Sequence, residues 1–205
     1  MYSPSYNRLE DRAELLAFMR ANNFPVLVTG TGGTLHASHL PVTIGSTDPL
    51  VLDMHMARNN PQWKEFFDDQ EVMVVFSGPH AYVSPRWYED KERVPTWNYA
   101  AVHAYGFPKI VSGKSEKREN QRRLVEAMDP QWLPDFDKLS EKYVTMMLEG
   151  IVNFEIAVTR IETRWKLSQN RSRREMELIA AQLDKSDDSL EKALAALTRR
   201  HLPKE

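Results

Sequence analysis

The stretch VTGTGGTL, at residues 28–35, decides how the beginning of this chain folds. It continues the apolar run FPVLV, and a strand that ends in Gly-x-Gly-Gly is typical either of a dinucleotide-binding turn or of a β-hairpin. A dinucleotide-binding turn leads into a helix whose N-terminus binds the pyrophosphate. Here Leu35 stands where the third glycine would be, and the β-branched, proline-containing run HASHLPVTI follows. The sequence therefore predicts a hairpin turn formed by Gly30, Gly32 and Gly33, and argues against a classical NAD-binding fold.

Apolar and β-branched runs on both sides of this hairpin indicate a mainly β domain. They give five or six strands: PVLVTG, TLHASHLPVTI, PLVLDMHM, EVMVVFSG, WNYAAVHAYGFPKIV and GIVNFEIAVTRIETRWKL. Strands that are joined by short turns must be antiparallel, because a parallel crossover needs a dozen or more residues. We therefore expect an α+β fold in which the antiparallel strands close into a barrel.

Helical periodicity is found outside these strands. Amphipathic patterns predict helices over 9–21, 115–128, 135–148, 173–184 and 188–200. Pro61 suits the first turn of a short helix. The stretch 79–96, with three prolines and a charged run, is interpreted as a loop. The barrel is thus expected to have flanking helices and a C-terminal helical hairpin.

Composition limits the class of protein. The chain has 205 residues, of which 41% are hydrophobic, enough for one domain with a core. A formal net charge of −2 argues against a polyanion-binding chain, and the absence of cysteine excludes disulfides and a cysteine nucleophile. The first residues lack a signal-peptide pattern, and no apolar run approaches the roughly 20 residues of a membrane span. We therefore expect a cytoplasmic protein.

His36 and His39 are candidates for a metal site. Residues three apart on a strand point to opposite faces, so one ion cannot easily bind both. No acidic residue nearby in the sequence completes a ligand set. A metal site is therefore not predicted.

Two polar stretches are typical of ligand contacts. In DMHMARNNPQW, the helix that starts at Pro61 and the guanidinium of Arg58 suit a phosphate, but this stretch alone favours an ordinary solvated turn with a helix cap. RWKLSQNRS, at residues 164–172, ends the last strand with a dense set of hydrogen-bond donors. It suits phosphate, ribityl hydroxyls or carbonyl oxygens, and Ser172 with Glu175 also fits a capping box for the next helix. For residues 164–172, the ligand site and the helix cap use different residues, so both interpretations can hold.

Aromatic residues are concentrated between residues 80 and 103. Their rings suit stacking on a planar ligand, but aromatic residues more often serve core and interface packing. Trp97 and Tyr99 would share one face of a strand, with Asn98 on the other. No Gly-x-Ser-x-Gly elbow, Walker loop or His-Glu-x-x-His motif is present, so nothing indicates a hydrolase or an NTPase.

A set of long and unusual motifs, in order along nearly the whole chain, carries a resemblance to a known family. They are MYSP (1–4), HASHLPV (36–42), HMARNNPQW (55–63), FSGPHAYVSPRWY (76–88), VPTWNYAAVHAYG (94–106) and KLSQNRS (166–172). With these motifs the chain resembles the PaiB-type FMN-binding proteins, which are often described as negative transcriptional regulators. The segment 114–148 and the last thirty residues are the least diagnostic parts.

The resemblance implies an FMN-binding split β-barrel, related to pyridoxamine-phosphate oxidases, that forms a homodimer with FMN at the subunit interface. HASHLPV would lie along the isoalloxazine edge, HMARNN near the ribityl chain and phosphate, and TWNY and KLSQN at the ring or the ribityl chain. Arg58 and Asn59 would contact the phosphate. The expected cofactor contacts are His36, Ser38, His39, Leu40, His55, Met56, Arg58, Asn59, Trp97, Asn98, Lys166, Ser168, Gln169 and Asn170. The barrel domain is expected to span 1–168, with a helical insertion at about 114–148, and a helical tail to span 169–205.

The use of the flavin is left open by the sequence, and no catalytic residue is assigned. One hypothesis is an FMN-dependent oxidoreductase that uses NAD(P)H and an unidentified small substrate, in which Lys166 near the pyrimidine side would favour the anionic reduced flavin. Another is a flavin-binding sensor or carrier without turnover.

A third hypothesis is the DNA-binding regulator that the family description implies. The second helix of the tail opens with the acidic run DKSDD, which DNA phosphates would repel. Leu190, Leu194 and Leu197 form an apolar stripe that suits packing. We therefore expect the tail to pack against the barrel or the partner subunit, and direct DNA binding is not predicted.

Overall fold

A computed structural model describes residues 1–67, 69–90 and 92–203 of the chain. Within these residues there are seven strands: β1 Val26–Thr31, β2 Thr34–His39, β3 Val42–Thr47, β4 Leu50–Ala57, β5 Val72–Val83, β6 Thr96–Val111 and β7 Ile151–Lys166. The α-helices are α1 Arg12–Ala21, α2 Lys114–Met128, α3 Leu133–Phe136, α4 Glu141–Glu149, α5 Arg173–Leu183 and α6 Ser189–Arg200. Short 3₁₀ helices cover Ser5–Asn7, Pro61–Glu65 and Pro85–Trp87. The predicted α+β class is confirmed.

All seven described strands belong to one antiparallel sheet with the order β2-β1-β5-β6-β7-β4-β3. The order brings together strands that are distant in sequence. In the pairing of β4 with β7, Val51 lies opposite Ala157 and Ala57 lies opposite Ile151. The number of strands exceeds the predicted five or six because TLHASHLPVTI forms two strands. Leu40 and Val42 there donate their N–H groups to the carbonyls of Pro25 and Asn23, at 3.1 and 3.0 Å, and the pairing of β2 with β1 ends at His39.

The quoted glycine stretch forms the predicted β-hairpin. Gly32 and Gly33 have φ values of 59° and 85°, as a two-residue type I′ turn requires at both central positions. Thr31 pairs with Thr34 on either side of them. The prediction that Gly30 belongs to the turn is wrong, because Gly30 lies in β1 opposite Leu35 and two glycines complete the turn.

Two other local predictions are corrected by the structure. The predicted loop over 79–96 is wrong at its start, because β5 continues through Pro79 to Val83 before the 3₁₀ helix Pro85–Trp87. Lys91, within that stretch, lies outside the described residues. The helix predicted over 135–148 is two helices, since Ser140 caps α4 by accepting a hydrogen bond from the Tyr143 N–H at 3.3 Å.

The chain divides into two compact units, each with its own buried residues. The first unit comprises residues 1–19, 77–102 and 162–205, and the second comprises residues 20–76 and 103–161. The fully buried side chains of the first unit include Trp165, Met176, Ile179 and Leu183. Those of the second unit include Leu27, Leu52, Phe76, Phe154 and Ile156. Each unit can therefore position side chains on a packed core of its own.

Helices α5 and α6 both belong to the first unit, and the predicted domain boundary at residue 168 stays a prediction. Lys204 and Glu205, at the end of the predicted tail, lie outside the described residues. None of the described helices combines the length and the apolar character that crossing a membrane requires.

Candidate functional site

Strand β7 ends in a tight turn that is held by its own side chains. Ser168 has a φ of 66°, in the left-handed region that few residues other than glycine adopt. The amide of Gln169 accepts a hydrogen bond from the Leu167 N–H at 2.8 Å and donates one to the Trp165 carbonyl. Arg171 donates its N–H to the Ser168 carbonyl at 2.9 Å. The turn therefore has a defined conformation, although it lies in a connecting segment.

The start of β6 supports this turn from beside it. Asn98 is fully buried and donates from Nδ2 to the Ser168 hydroxyl at 2.9 Å, and that hydroxyl lies 3.2 Å from Asn98 Oδ1. The ammonium group of Lys166 donates to the hydroxyl of Thr96. Three residues predicted from the sequence are thus brought together: Asn98 from β6, Lys166 from the end of β7 and Ser168 from the turn that follows.

A cavity of about 230 Å³ lies at this turn, within the first unit. Its lining residues are Tyr2, Pro4, Tyr6, Asn7, Tyr88, Val94, Pro95, Thr96, Arg164, Lys166, Ser168, Gln169, Asn170 and Arg171. We call it the Lys166 cavity. Lys166, Ser168, Gln169 and Asn170, all predicted as cofactor contacts, line this one space.

The Lys166 cavity is electropositive. Arg164, Lys166 and Arg171 line it, and no carboxylate is found among its described lining residues. The guanidinium of Arg164 lies 5.3 Å from the ring of Tyr2, and that of Arg171 lies 5.2 Å from the ring of Tyr88. Aromatic faces attract these cations without neutralising them. The cavity therefore favours an anionic group.

The surroundings of the Lys166 ammonium disfavour its charged form. Its partial burial, and then the positive charge of Arg164, lower the pKa of the Lys166 ammonium below its ordinary value. A negative charge beside Nζ would oppose both effects.

Two buried polar atoms of the residues that line this cavity suit a ligand. Asn7 Oδ1 and Arg164 Nε have no hydrogen-bond partner among residues 1–67, 69–90 and 92–203. Buried polar atoms in proteins are nearly always paired, so a water or a ligand group that reached them would satisfy one acceptor and one donor. The sequence assigned no role to this N-terminal segment, although MYSP was one of the matching motifs.

The predicted residues of strand β2 lie in the second unit. His36 Nδ1 lies 2.5 Å from Glu65 Oε1, and the ring of His39 lies 5.9 Å from that of Phe24. The two histidines thus have different neighbours, and the 3₁₀ helix Pro61–Glu65 brings an acid that is distant in sequence beside His36. Ser38 accepts a hydrogen bond from Asn60 Nδ2 at 2.9 Å.

Arg58 is tied to the turn between α4 and β7. Its Nε donates to the Glu149 carbonyl at 2.6 Å and its Nη2 donates to the Ile151 carbonyl at 2.9 Å. Asn60 caps the 3₁₀ helix that follows, accepting a hydrogen bond from the Gln62 N–H at 3.0 Å. The predicted helix start at Pro61 is confirmed. The helix cap, which was the alternative to a phosphate site in this stretch, is also present.

The remaining predicted residues have separate surroundings. Leu40 and Met56 are buried apolar side chains, and Asn59 is exposed. His55 lines an apolar cavity of the second unit. Trp97, in the first unit, is 55% exposed and lies 6.2 Å from the ring of Tyr82. The structure therefore brings together the predicted contacts of KLSQN with Asn98 and places the others at different points of the two units.

Comparison with solved structures identifies the fold. The FAD and heme binding protein from Mycobacterium smegmatis is 13% identical, with a TM-score of 0.63 over 78% of this chain and 73% of that chain. The flavocytochrome Anf3 from Azotobacter vinelandii is 14% identical, with a TM-score of 0.60 over 78% of this chain and 69% of that chain. The predicted antiparallel split barrel with flanking helices is confirmed.

Comparison of sequences identifies the family. Residues 1–160 match the family described as "Putative FMN-binding domain". In an alignment of 212 positions that covers all of both chains, the sequence is 36% identical to the protein "Protease synthase and sporulation protein PAI 2" of Bacillus subtilis (strain 168). The chain belongs to the PaiB-type family of proteins with an FMN-binding domain.

Proposed function

We propose that this protein binds FMN at the interface of a homodimer and that the Lys166 cavity holds part of the flavin. The observation that carries the proposal is that the turn residues Lys166, Ser168, Gln169 and Asn170 line one electropositive cavity. All four residues are among the cofactor contacts predicted from the sequence. Membership of the family supports the binding of a flavin, and we propose that this flavin is FMN.

The chemistry of the cavity suits the polar parts of FMN. Its cations and amide groups would pair with the phosphate or with the carbonyl edge of the pyrimidine ring. The rings of Tyr2, Tyr6 and Tyr88 provide flat apolar surface beside these groups. Since sites for drug-sized ligands measure roughly 300–1,000 Å³, the cavity's 230 Å³ would hold only part of the cofactor. A second subunit would complete the site.

When bound, FMN would supply redox chemistry. The contribution of this chain would be positive charge at Nζ of Lys166, which would stabilise negative charge on the reduced ring. An oxidoreductase is the second candidate, because a cationic side chain in the cavity would favour the anionic reduced flavin. Bleaching of bound flavin by NADH or NADPH, followed by reoxidation by an acceptor, distinguishes this candidate from a protein that only binds flavin.

Replacement of Lys166 tests the main proposal. We expect the full chain, incubated with FMN and desalted, to keep a flavin absorption spectrum. Lys166→Met removes the charge but keeps most of the side-chain volume, and should weaken FMN binding by about tenfold or more, as expected for a hydrogen bond to a charged group. Lys109→Met, at an exposed site of the second unit, is the matched control. A folded protein that takes up no flavin, or equal affinities in both variants, would refute the proposal.

Arg58 provides a separate test of the predicted phosphate contact. Arg58→Ala should weaken FMN binding far more than riboflavin binding, because riboflavin lacks the phosphate. Arg58 also binds the carbonyls of Glu149 and Ile151, so a structural effect of the substitution would reduce both affinities equally. Equal losses would therefore remove Arg58 from the phosphate site. The other predicted contacts in the second unit stay predictions.

A further inference from the structure

A second cavity, of about 280 Å³, lies in the second unit beside helices α2, α3 and α4. Its wall is mainly aromatic and apolar, and includes Trp132, Phe136, Tyr143, Met147 and Leu148. Phe136 and Leu148 are buried, whereas Trp132, Tyr143 and Met147 are exposed for about half of their surface. Large apolar side chains that line an open cavity without filling it are typical of a small-molecule site.

One end of this cavity is polar. His55 and Gln121 line it, and they also line a smaller void of about 10 Å³, roughly the volume that one water needs. Both side-chain amide atoms of Asn153, which is fully buried and lines the smaller void, have no hydrogen-bond partner among the described residues. Asn120 and Asp53 line the same void, and within the described part of the chain Asn120 Nδ2 and Asp53 Oδ1 also have no hydrogen-bond partner. Because buried polar atoms are normally paired, the smaller void is suited to a bridging water, and His55 and Gln121 provide the polar groups of the larger cavity.

The charges around the polar end compensate one another. Burial lowers the pKa of His55 and so favours its neutral imidazole form. The carboxylate of Asp53 accepts hydrogen bonds from Arg123 Nε and Nη2 at 3.0 and 2.6 Å. Arg118, which also lines the cavity, donates to Glu141 at 3.0 Å. An ionic ligand would gain little from these groups, whereas a neutral imidazole offers one donor and one acceptor.

We propose that this cavity is a binding site for a small neutral aromatic compound, of one or two rings, that carries a hydroxyl or a ring nitrogen. The rings would pack against Trp132, Phe136 and Tyr143, and the polar group would hydrogen-bond to His55. The volume, just below the roughly 300–1,000 Å³ of drug-sized sites, limits the ligand to this size. The proposal goes beyond the Lys166 cavity and assigns His55, which the sequence predicted as an FMN contact, to a different ligand. Binding of this ligand does not require flavin.

The probe is 2-naphthol, a neutral two-ring compound with one hydroxyl, titrated calorimetrically into the full chain after removal of flavin. We expect saturable binding of one molecule per chain. Naphthalene, which lacks the hydroxyl, should bind roughly three- to tenfold more weakly, the effect of one hydrogen bond. His55→Phe keeps an aromatic ring but removes the hydrogen-bonding nitrogens, and should abolish this preference for 2-naphthol.

Two neighbouring methionines of α4 provide a matched pair. Met146 and Met147 are 58% and 51% exposed, but only Met147 is among the described residues that line the cavity. In Met147→Trp the larger side chain would occupy part of the cavity. This substitution should weaken 2-naphthol binding by about tenfold, because less volume is left for the ligand. Met146→Trp should leave binding unchanged.

Absence of saturable binding in the folded parent, or equal affinities in the two tryptophan variants, would overturn the proposal. The proposal would also be overturned if the parent bound no probe and only Met147→Trp changed the oligomeric state. A second copy of the chain would then cover the cavity. FMN binding is measured separately on the same preparations, so its failure does not affect this result.

Discussion

Ser168 meets two structural requirements at once. Its backbone has a φ of 66°, and its hydroxyl is bonded to the amide of Asn98, which is fully buried. Ser168→Ala leaves that amide without its partner and should lower the free energy of unfolding by about 1–3 kcal/mol. Ser168→Gly also loses the hydroxyl, but glycine adopts positive φ without a steric penalty, so this variant should be less destabilised. Equilibrium unfolding in urea measures both.

Ser77→Ala, at an exposed position of β5, controls for the loss of a serine hydroxyl and should change stability by less than about 0.5 kcal/mol. If Ser168→Ala unfolds at the urea concentration of the parent, the hydroxyl does not hold Asn98. If Ser168→Gly is less stable than Ser168→Ala, the backbone at this position is not strained.

The residues around Ser168 also show how far a sequence identifies a site. The dense run of donors in KLSQN predicted these positions as a group, and Lys166, Ser168, Gln169 and Asn170 line one cavity. The sequence could not show that the amide of Gln169 is bonded to the backbone of its own turn, because that bond depends on a positive φ which a serine does not indicate. It also could not join Asn98 to Ser168, which are 70 positions apart.

Among the secondary-structure elements, the β1–β2 hairpin has a turn that depends on backbone conformation alone. Gly33 has a φ of 85°, and a Cβ added there would meet no heavy atom within 4 Å. Gly33→Ala should therefore destabilise the protein by about 1–2 kcal/mol through the left-handed conformation itself, without a clash. Gly33→Asn should cost less, because asparagine tolerates this region and is common in type I′ turns. Thermal unfolding compares the two variants, and equal losses would show that the turn is not the cause.

Elements with a strong local signal were predictable, and those that depend on a neighbour were not. The hairpin followed from two adjacent glycines between β-branched runs. The strand through Pro79 was missed because proline is a common end of a strand, and is tolerated only where the neighbouring strand needs no N–H from it. Whether that holds depends on the pairing with the partner strand, which the residues around Pro79 do not indicate.

For the molecule as a whole, the strand order is the feature that local patterns could not provide. Antiparallel pairing followed from the short connections, but nothing local places β4 beside β7, about a hundred residues later. Contacts such as the 2.6 Å pair between Arg123 and Asp53 depend on that order. The family resemblance supplied the architecture, because long motifs distributed along the chain restrict the fold more than any single run does.

The charges of the C-terminal helices, together with the net charge of −2, bear on the DNA-binding hypothesis. Several of their arginines are paired with carboxylates: Arg173 with Glu177 at 3.0 Å, Arg174 with Glu89 at 2.5 Å and Arg199 with Asp184 at 3.1 Å. Helix α6 starts at an Asp188 cap, and Glu191 lies in its first turn. Acidic groups at the start of a helix repel the phosphates that a recognition helix would approach.

We therefore expect the full chain not to bind duplex DNA. Fluorescence anisotropy of a labelled duplex, at about 50 and 200 mM salt, should show no binding tighter than the weak end of non-specific association, a Kd of roughly 10⁻⁴ M. Electrostatic binding would instead weaken steeply between these salt concentrations, since each neutralised phosphate releases counterions. A salt-dependent signal that Arg199→Ala reduces and Lys109→Ala does not would contradict this expectation. It would mean that the carboxylate of Asp184 gives up its arginine to a phosphate, and that the C-terminal helices form a nucleic-acid surface.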